Sequence, residues 1–155
     1  MSRAYDVLVA GGGPVGWACA LTARSALGKG ARVAVIERET PPLIDAAAPI
    51  SARVYTIAAG NLAWFDQQGV TFDRARTAPV TDMLVHGRDG APSLRISAND
   101  AGQNELARVI EHEALTAATA ARAQALGVQL VSGECAALHD TDDGQHRLVE
   151  LADKS

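Results

Sequence analysis

A chain of 155 residues suits one ordinary domain, which buries roughly 70% of the surface that its unfolded form exposes. Hydrophobic residues make up 48% and charged residues 21%, with a net charge of −4 and no basic tract; this excludes a disordered chain and argues against a nucleic-acid surface. The 2 cysteines, Cys19 and Cys135, lie far apart without a CxxC pattern, so neither a disulfide framework nor a zinc site is indicated and a reducing cytoplasm suits the chain.

The first element is "YDVLVA", Tyr5 to Ala10, an apolar run that reads as a strand covered on both faces. It is broken by glycines, lacks a basic leader and falls short of the roughly 20 residues needed to span a bilayer. A soluble protein is expected, with peripheral membrane contact left open. A helix should follow from Pro14, a residue suited to a first helical position, and stop at Gly28 and Gly30. "ARVAVIE", Ala31 to Glu37, repeats the strand pattern, and strand, helix and strand make a βαβ unit.

Gly11, Gly13 and Gly16 match GxGxxG at the junction of that strand and helix. The first glycine permits a tight turn, the second lets the backbone approach a pyrophosphate, and the third lets helix and strand pack closely. Unpaired amides and the positive end of the helix dipole would then face phosphate without any cationic side chain. Glu37 ends the second strand about 20 residues further on, where a carboxylate accepts hydrogen bonds from ribose hydroxyls and repels a 2′-phosphate. Arg38 beside it could meet a phosphate or be an ordinary surface arginine. The plainer explanation of the whole pattern is a glycine-rich turn with a solvated acid at a strand end.

Thr40 to Ile50 reads as an irregular connection, with Ser51 a cap for a helix through Val54, Ile57, Ala58, Asn61, Leu62 and Phe65 that stops near Gly69. Val80 to Ala98 holds two short β-like runs around "GRDGAP", whose Asp-Gly pair signals an antiparallel hairpin. From Asn104 to Leu126, the positions Leu106, Val109, Ile110, Ala114, Ala117, Ala118, Ala121 and Ala125 suggest one long helix, capped by Asn104 and ended by Gly127. "VQLVSGECAAL" then reads as a strand, and "RLVEL" as another after the turn "DTDDGQ". Trp64 and Phe65 read as core or interdomain contact. The four histidines have no metal-ligand spacing, and no metal is assigned.

"DVLVAGGGPVG" together with "VAVIE" resembles the FAD-binding start of many flavoproteins. "ISARVYTIAAGNLAWFDQQGV" and "LARVIEHEAL" are similar to the ubiquinone-biosynthesis aromatic hydroxylases, within the p-hydroxybenzoate hydroxylase-like monooxygenases. The resemblance covers essentially the whole chain, but only the first third to half of a full member. It implies an α/β fold: residues 1–155 as the N-terminal portion of a Rossmann-like FAD-binding domain with a parallel sheet, and 80–98 as a hairpin of the substrate-side sheet. The second FAD motif and most of that sheet would lie in a remainder that is absent here, so the fragment alone is expected to be inactive and to expose apolar surface.

The resemblance further implies FAD held by Gly11, Gly13, Pro14, Val15, Gly16, Glu37 and Arg38, with the backbone at Cys135 near the adenine. Arg53, at the start of the second expected helix, would approach the FAD; a cation there opposes the helix dipole by roughly 0.3–1 kcal/mol, which an anion would relieve. His112 occupies a place where relatives carry Asn or Arg near the cofactor, although an ordinary helix-surface histidine accounts for it as well. NAD(P)H and O2 would serve as co-substrates for hydroxylating a small aromatic, a polyprenyl phenol among the candidates. Peripheral contact with the inner membrane or a ubiquinone-biosynthesis assembly is left open, and no catalytic side chain is assigned. Two other readings stand beside this one: an NAD-dependent or other flavin oxidoreductase, and a non-catalytic fragment acting as an interaction module.

Overall fold

The computed structural model describes residues 4–44, 47–88, 93–142 and 144–152. In chain order the elements are β1 (Val7–Ala10), α1 (Pro14–Leu27), β2 (Val33–Glu37), β3 (Val54–Ala58), α2 (Ala59–Gln67), a 3₁₀ turn (Arg74–Arg76), β4 (Thr77–Val80), β5 (Asp82–Val85), β6 (Leu94–Ser97), β7 (Ala107–Glu111), α3 (His112–Ala125), β8 (Gln129–Ser132), β9 (Cys135–Asp140) and β10 (Arg147–Leu151). They divide into two compact units, Met1–Leu43 with Thr116–Ser155, and Ile44–Leu115.

The first unit is built on a parallel sheet in the order β1-β2-β8. Val7 pairs with Val33 and Ala10 with Ile36 on one side of β2, while Ala34 pairs with Gln129 and Glu37 with Ser132 on the other. As the middle strand, β2 buries Val33, Ala34, Val35 and Ile36 almost completely, which is why its sequence is continuously apolar rather than alternating. Each large side chain so buried contributes about 1.5–3 kcal/mol relative to exposure. Helix α1 starts at Pro14 as expected and buries Trp17, Ala20 and Leu21. Trp17 is therefore a core residue, fully buried, and its indole nitrogen has no hydrogen-bond partner among the described residues. Gly28 closes the helix at φ 78°. Arg24, in the last turn, donates to the carbonyls of Gly28, Ala31 and Leu126, tying helix-end acceptors together. The expected single strand after Gly127 is two: Gly133, at φ 157°, separates β8 from β9, and β9 pairs antiparallel with β10. Asp143 of the turn between β9 and β10 lies outside the described residues.

In the second unit, an antiparallel sheet runs in the order β3-β7-β4. Two sequence expectations fail here. Val54–Ala58 is a strand, with the exposed and half-buried alternation of period two, and the helix begins only at Ala59; Ser51 caps no helix but accepts a hydrogen bond from the Arg53 N–H at 3.2 Å. Likewise, Ala107–Glu111 is the middle strand of this sheet, so the helix expected from Asn104 begins at His112 and Asn104 is no cap. In both places β-branched residues sit in the paired strands, Thr56 opposite Val109 and Val54 opposite Glu111, and this tertiary pairing prevails over the helical spacing. Phe65 packs edge-on against Trp64 at 4.9 Å and Phe72 at 5.3 Å. The expected hairpin forms from β5 and β6 with Val85 opposite Leu94; the Asp-Gly pair of its turn lies outside the described residues. Met83, Leu84, Val85, Leu94 and Ile96 on this hairpin are exposed. No helix among the described residues is long and apolar enough to cross a membrane.

Candidate functional site

The carboxyl ends of β1, β2 and β8 lie at one edge of the parallel sheet, the edge at which open α/β sheets bind ligands. The chain leaves β1 through Gly11 at φ 100°, a conformation that disfavours any side chain, and the Gly11 N–H donates to the Ile36 carbonyl at 2.9 Å. A Cβ on Gly16 would stand 1.9 Å from the Gly11 oxygen, so the first turn of α1 sits against the loop with no room for a methyl group. Gly12, to which the motif assigns no role, is equally constrained. Its N–H donates to Glu37 Oε2 at 2.7 Å, and a Cβ there would stand 2.7 and 2.8 Å from the Glu37 Cγ and Cβ. Gly13 differs from both: a Cβ on it would meet nothing within 4 Å. It is the N-cap of α1 and offers no side-chain cap, while Pro14 has no N–H, so the amides ahead of Trp17, whose N–H donates to the Gly13 carbonyl at 3.1 Å, are left without an intrahelical partner.

Glu37 reaches this loop from the end of β2. Besides the Gly12 N–H, its carboxylate accepts from the Arg38 N–H at 2.6 Å and, more weakly, from the Glu39 N–H at 3.4 Å. The Gly12 N–H in first place, then the other two amides and the Arg38 charge, hold its carboxyl below the usual glutamate value against the opposing effect of burial, so it is ionised at neutral pH. The Gly133 N–H donates to the Glu37 carbonyl at 3.0 Å, which brings the start of the β9 segment to the same edge. Arg38 does not turn into the loop; its guanidinium pairs with Glu134 at 3.2 Å on the surface, a contact worth about 0–1 kcal/mol. Cys135 is half-buried at the start of β9, and its thiol lies 3.9 Å from the Ala137 carbonyl. The structure therefore gathers Gly11, Gly13, Pro14, Val15, Gly16, Glu37, Arg38 and Cys135 in the first unit.

Arg53 belongs to the second unit, and its setting differs from expectation. It precedes a strand, so it does not oppose a helix dipole at the start of α2. Its carbonyl accepts from the His112 N–H at 2.9 Å, at the first residue of α3. Its exposed guanidinium lies over the Tyr55 ring, 5.7 Å from the centroid, and makes no ion pair among the described residues. The Tyr55 hydroxyl and His112 Nδ1 share a hydrogen bond of 3.2 Å, and the two rings are 5.7 Å apart. Glu113 follows in the first turn; its own main-chain amide foremost, then the Ser51 hydroxyl and the His112 and Arg53 charges, lower its carboxyl. Sequence reasoning missed Tyr55, Arg76 and Glu111 because the segments carrying Tyr55 and Glu111 were read as helix faces. Gly12 was within reach, since an unbroken Gly-Gly-Gly run asks for three separate reasons. Among the described residues, no group of three or more His, Cys, Asp or Glu side chains is arranged to hold a metal ion.

A glycine turn, an uncapped helix start and an acid on the adjacent strand define the class: a dinucleotide-binding βαβ fold. No protein-family model and no curated protein matches the chain. Solved structures do. A geranylgeranyl bacteriochlorophyll reductase-like protein from Thermoplasma acidophilum is 25% identical, with a TM-score of 0.64 over 89% of this chain and 32% of its own. Xcc4156, a flavin-dependent halogenase from Xanthomonas campestris, gives a TM-score of 0.70 at 12% identity over 99% of this chain and 40% of its own. The p-nitrophenol 4-monooxygenase PnpA from Pseudomonas putida DLL-E4 gives 0.63 at 20% identity over 92% and 35%. The chain thus shares the α/β fold of these reductase-like, halogenase and monooxygenase structures, and it spans about a third of the length of the first of them.

Proposed function

We propose that this chain is the N-terminal, FAD-binding portion of a flavin-dependent monooxygenase. The observation that carries the reading is the division of labour in the glycine loop. Gly12 and Gly16 are closed against Glu37 and the Gly11 carbonyl, while Gly11 and Gly13 have clear space, and of these two Gly13 is the N-cap of α1. A diphosphate suits that space, because helix-start amides and the helix dipole favour anions there. Glu37, already ionised, would accept from the adenosine ribose; its charge disfavours a 2′-phosphate, so FAD suits the loop better than NADP. Bound FAD would supply the electron-transfer and oxygen chemistry, and the protein groups bind and orient it.

The finer assignment is hydroxylation of a small aromatic, a polyprenyl phenol of the ubiquinone pathway among the candidates, with NAD(P)H and O2 as co-substrates. Its support is the likeness of the segments around Arg53 and Ile110 to the aromatic hydroxylases. It is also in keeping with a similar structure named as a p-nitrophenol 4-monooxygenase. In this reading Arg53 is a cation toward the cofactor, Arg38 and the Cys135 backbone border the adenosine, and the enzyme works in the cytoplasm, peripheral to the inner membrane. The test is an FAD titration of the purified chain, followed by flavin absorbance and fluorescence quenching, beside Glu37→Ala and Arg53→Ala. Saturable binding weakened by both substitutions is expected; binding unchanged in both, or none in the unsubstituted chain, would overturn the reading.

A further inference from the structure

Away from the glycine loop, the second unit holds a buried ion pair that nothing so far has used. Arg76 and Glu111 are 8% and 6% exposed. Arg76 ends the 3₁₀ turn just before β4, Glu111 ends β7, and the pairing of Thr77 with Ile110 brings the two side chains to the same end of the sheet. One guanidinium nitrogen, Nη1, contacts both Glu111 oxygens, at 3.2 and 3.1 Å. Both members of the pair also reach main-chain groups of one stretch. Arg76 donates to the Ala48 carbonyl at 2.7 Å and the Pro49 carbonyl at 3.3 Å, and Glu111 Oε2 accepts from the Ser51 N–H at 2.7 Å. That stretch has no regular structure, and its Ile50 side chain is 74% exposed, so apolar packing of Ile50 does not hold it.

A buried ion pair is an indifferent source of stability, because well-packed apolar residues of similar volume serve about as well. What it supplies here is geometry. Three successive anchors hold the stretch to the sheet, and Arg53 begins two residues beyond the last of them. The Arg53 N–H is then held by Ser51 Oγ and its carbonyl by the His112 N–H, so its main chain is fixed on both sides while its guanidinium stays exposed.

We propose that Arg76 and Glu111 are a positioning pair: they pin residues 48–51 to the sheet so that Arg53 presents its guanidinium in one place to an anionic ligand. That this ligand is FAD rests on the flavin reading above; the pinning does not. Arg76→Lys keeps the charge and loses the fork that reaches two carbonyls, and Glu111→Gln keeps the volume and an acceptor for Ser51 while losing the charge. Amide exchange at Ser51 and Arg53 should quicken by about tenfold or more in either variant, with the amides between β3 and β7 still protected.

In FAD titrations of the full chain, either variant should lose affinity about as Arg53→Ala does, roughly tenfold, and the double variant with Arg53→Ala should lose no more, since removing a cation makes its positioning irrelevant. Exchange unchanged in a folded variant would overturn the proposal. So would FAD losses that simply multiply with that of Arg53→Ala, the result expected if the pair only supports the fold. Should the unsubstituted chain bind no FAD, the flavin reading fails separately, and the exchange result alone then decides the pinning.

Discussion

Gly13→Ala tests whether Gly13 faces a ligand, as distinct from the structural glycines Gly12 and Gly16. The added methyl group meets nothing within 4 Å, and the backbone at φ −73°, ψ −179° is open to any residue, so the folded chain has nothing to clear. Two small effects on stability oppose each other. Alanine restricts the unfolded chain, which stabilises by about 0.4–1 kcal/mol, and it is a poorer N-cap than glycine by a similar amount. The unfolding midpoint should therefore stay near that of the parent. Ligand binding should not. The methyl group would occupy the space in which a phosphate oxygen meets the first amides of α1, and losing one hydrogen bond to a charged group costs about 1.5–3 kcal/mol. That corresponds to a dissociation constant for FAD raised roughly 10- to 150-fold. Thermal unfolding followed by circular dichroism, together with flavin fluorescence titration, reads both quantities on one preparation. A variant that keeps its midpoint and binds FAD within twofold of the parent would refute the phosphate site.

Gly16→Ala should do the opposite, because its methyl group would stand 1.9 Å from the Gly11 carbonyl and α1 would have to withdraw from the loop; a loss of about 3 kcal/mol in urea unfolding is expected, and a loss below about 1 kcal/mol would contradict this packing. Glu37 gives a pH dependence of known sign: its carboxyl is lowered from 4.5, so its stabilising contribution is present above that value and fades as the pH falls through the lower folded value. Melting temperatures of the parent and Glu37→Gln should therefore converge on acidification below pH 4.5, and parallel curves would show that the Gly12 contact does not matter. Glu111→Ala leaves the Arg76 guanidinium buried without its counter-ion, and a loss of about 3–5 kcal/mol is expected by chemical denaturation, against under 1 kcal/mol if the pair were solvated.

The βαβ unit was legible because its signals are local. Pro14 and Gly28 mark the two ends of α1, and the apolar runs of β1 and β2 are short, the first running into Gly11 and the second starting soon after Gly30. Glu37 was legible too, since the distance from the glycine motif is fixed by the length of one helix and one strand. The second unit hid its strands for a definite reason. β3 runs into α2 and β7 into α3 without a glycine or proline between them, from Ala58 to Ala59 and from Glu111 to His112. A strand joined directly to a helix can continue the i, i+3, i+4 spacing by accident, as Val54, Ile57, Ala58 and Asn61 do. The discriminating signal was composition: Val54, Thr56 and Ile57, then Val109 and Ile110, are β-branched residues that suit strands. The misreading moved Arg53 to a helix start and concealed Glu111, whose role depends on facing Arg76 across a sheet.

Correcting the strand changes the electrostatic case for Arg53 but leaves the first unit's case intact. The loop there is built before any ligand arrives: the Gly11 N–H is fixed on Ile36, the Gly12 N–H on Glu37, and Gly16 lies against the Gly11 carbonyl. A diphosphate would thus meet amides already aimed, with little loop to order, and ordering is among the main costs of binding. The same bonds say which Glu37 oxygen is left for a sugar. Oε1 already receives the Arg38 and Glu39 amides, whereas Oε2 receives Gly12 alone. A carboxylate oxygen has two lone-pair sites, so under the proposed function a ribose hydroxyl would find its acceptor in Oε2, which also receives the Gly12 N–H. In the proposed reading, phosphate and sugar would be met by adjoining main-chain and carboxylate groups that one residue, Gly12, holds in register.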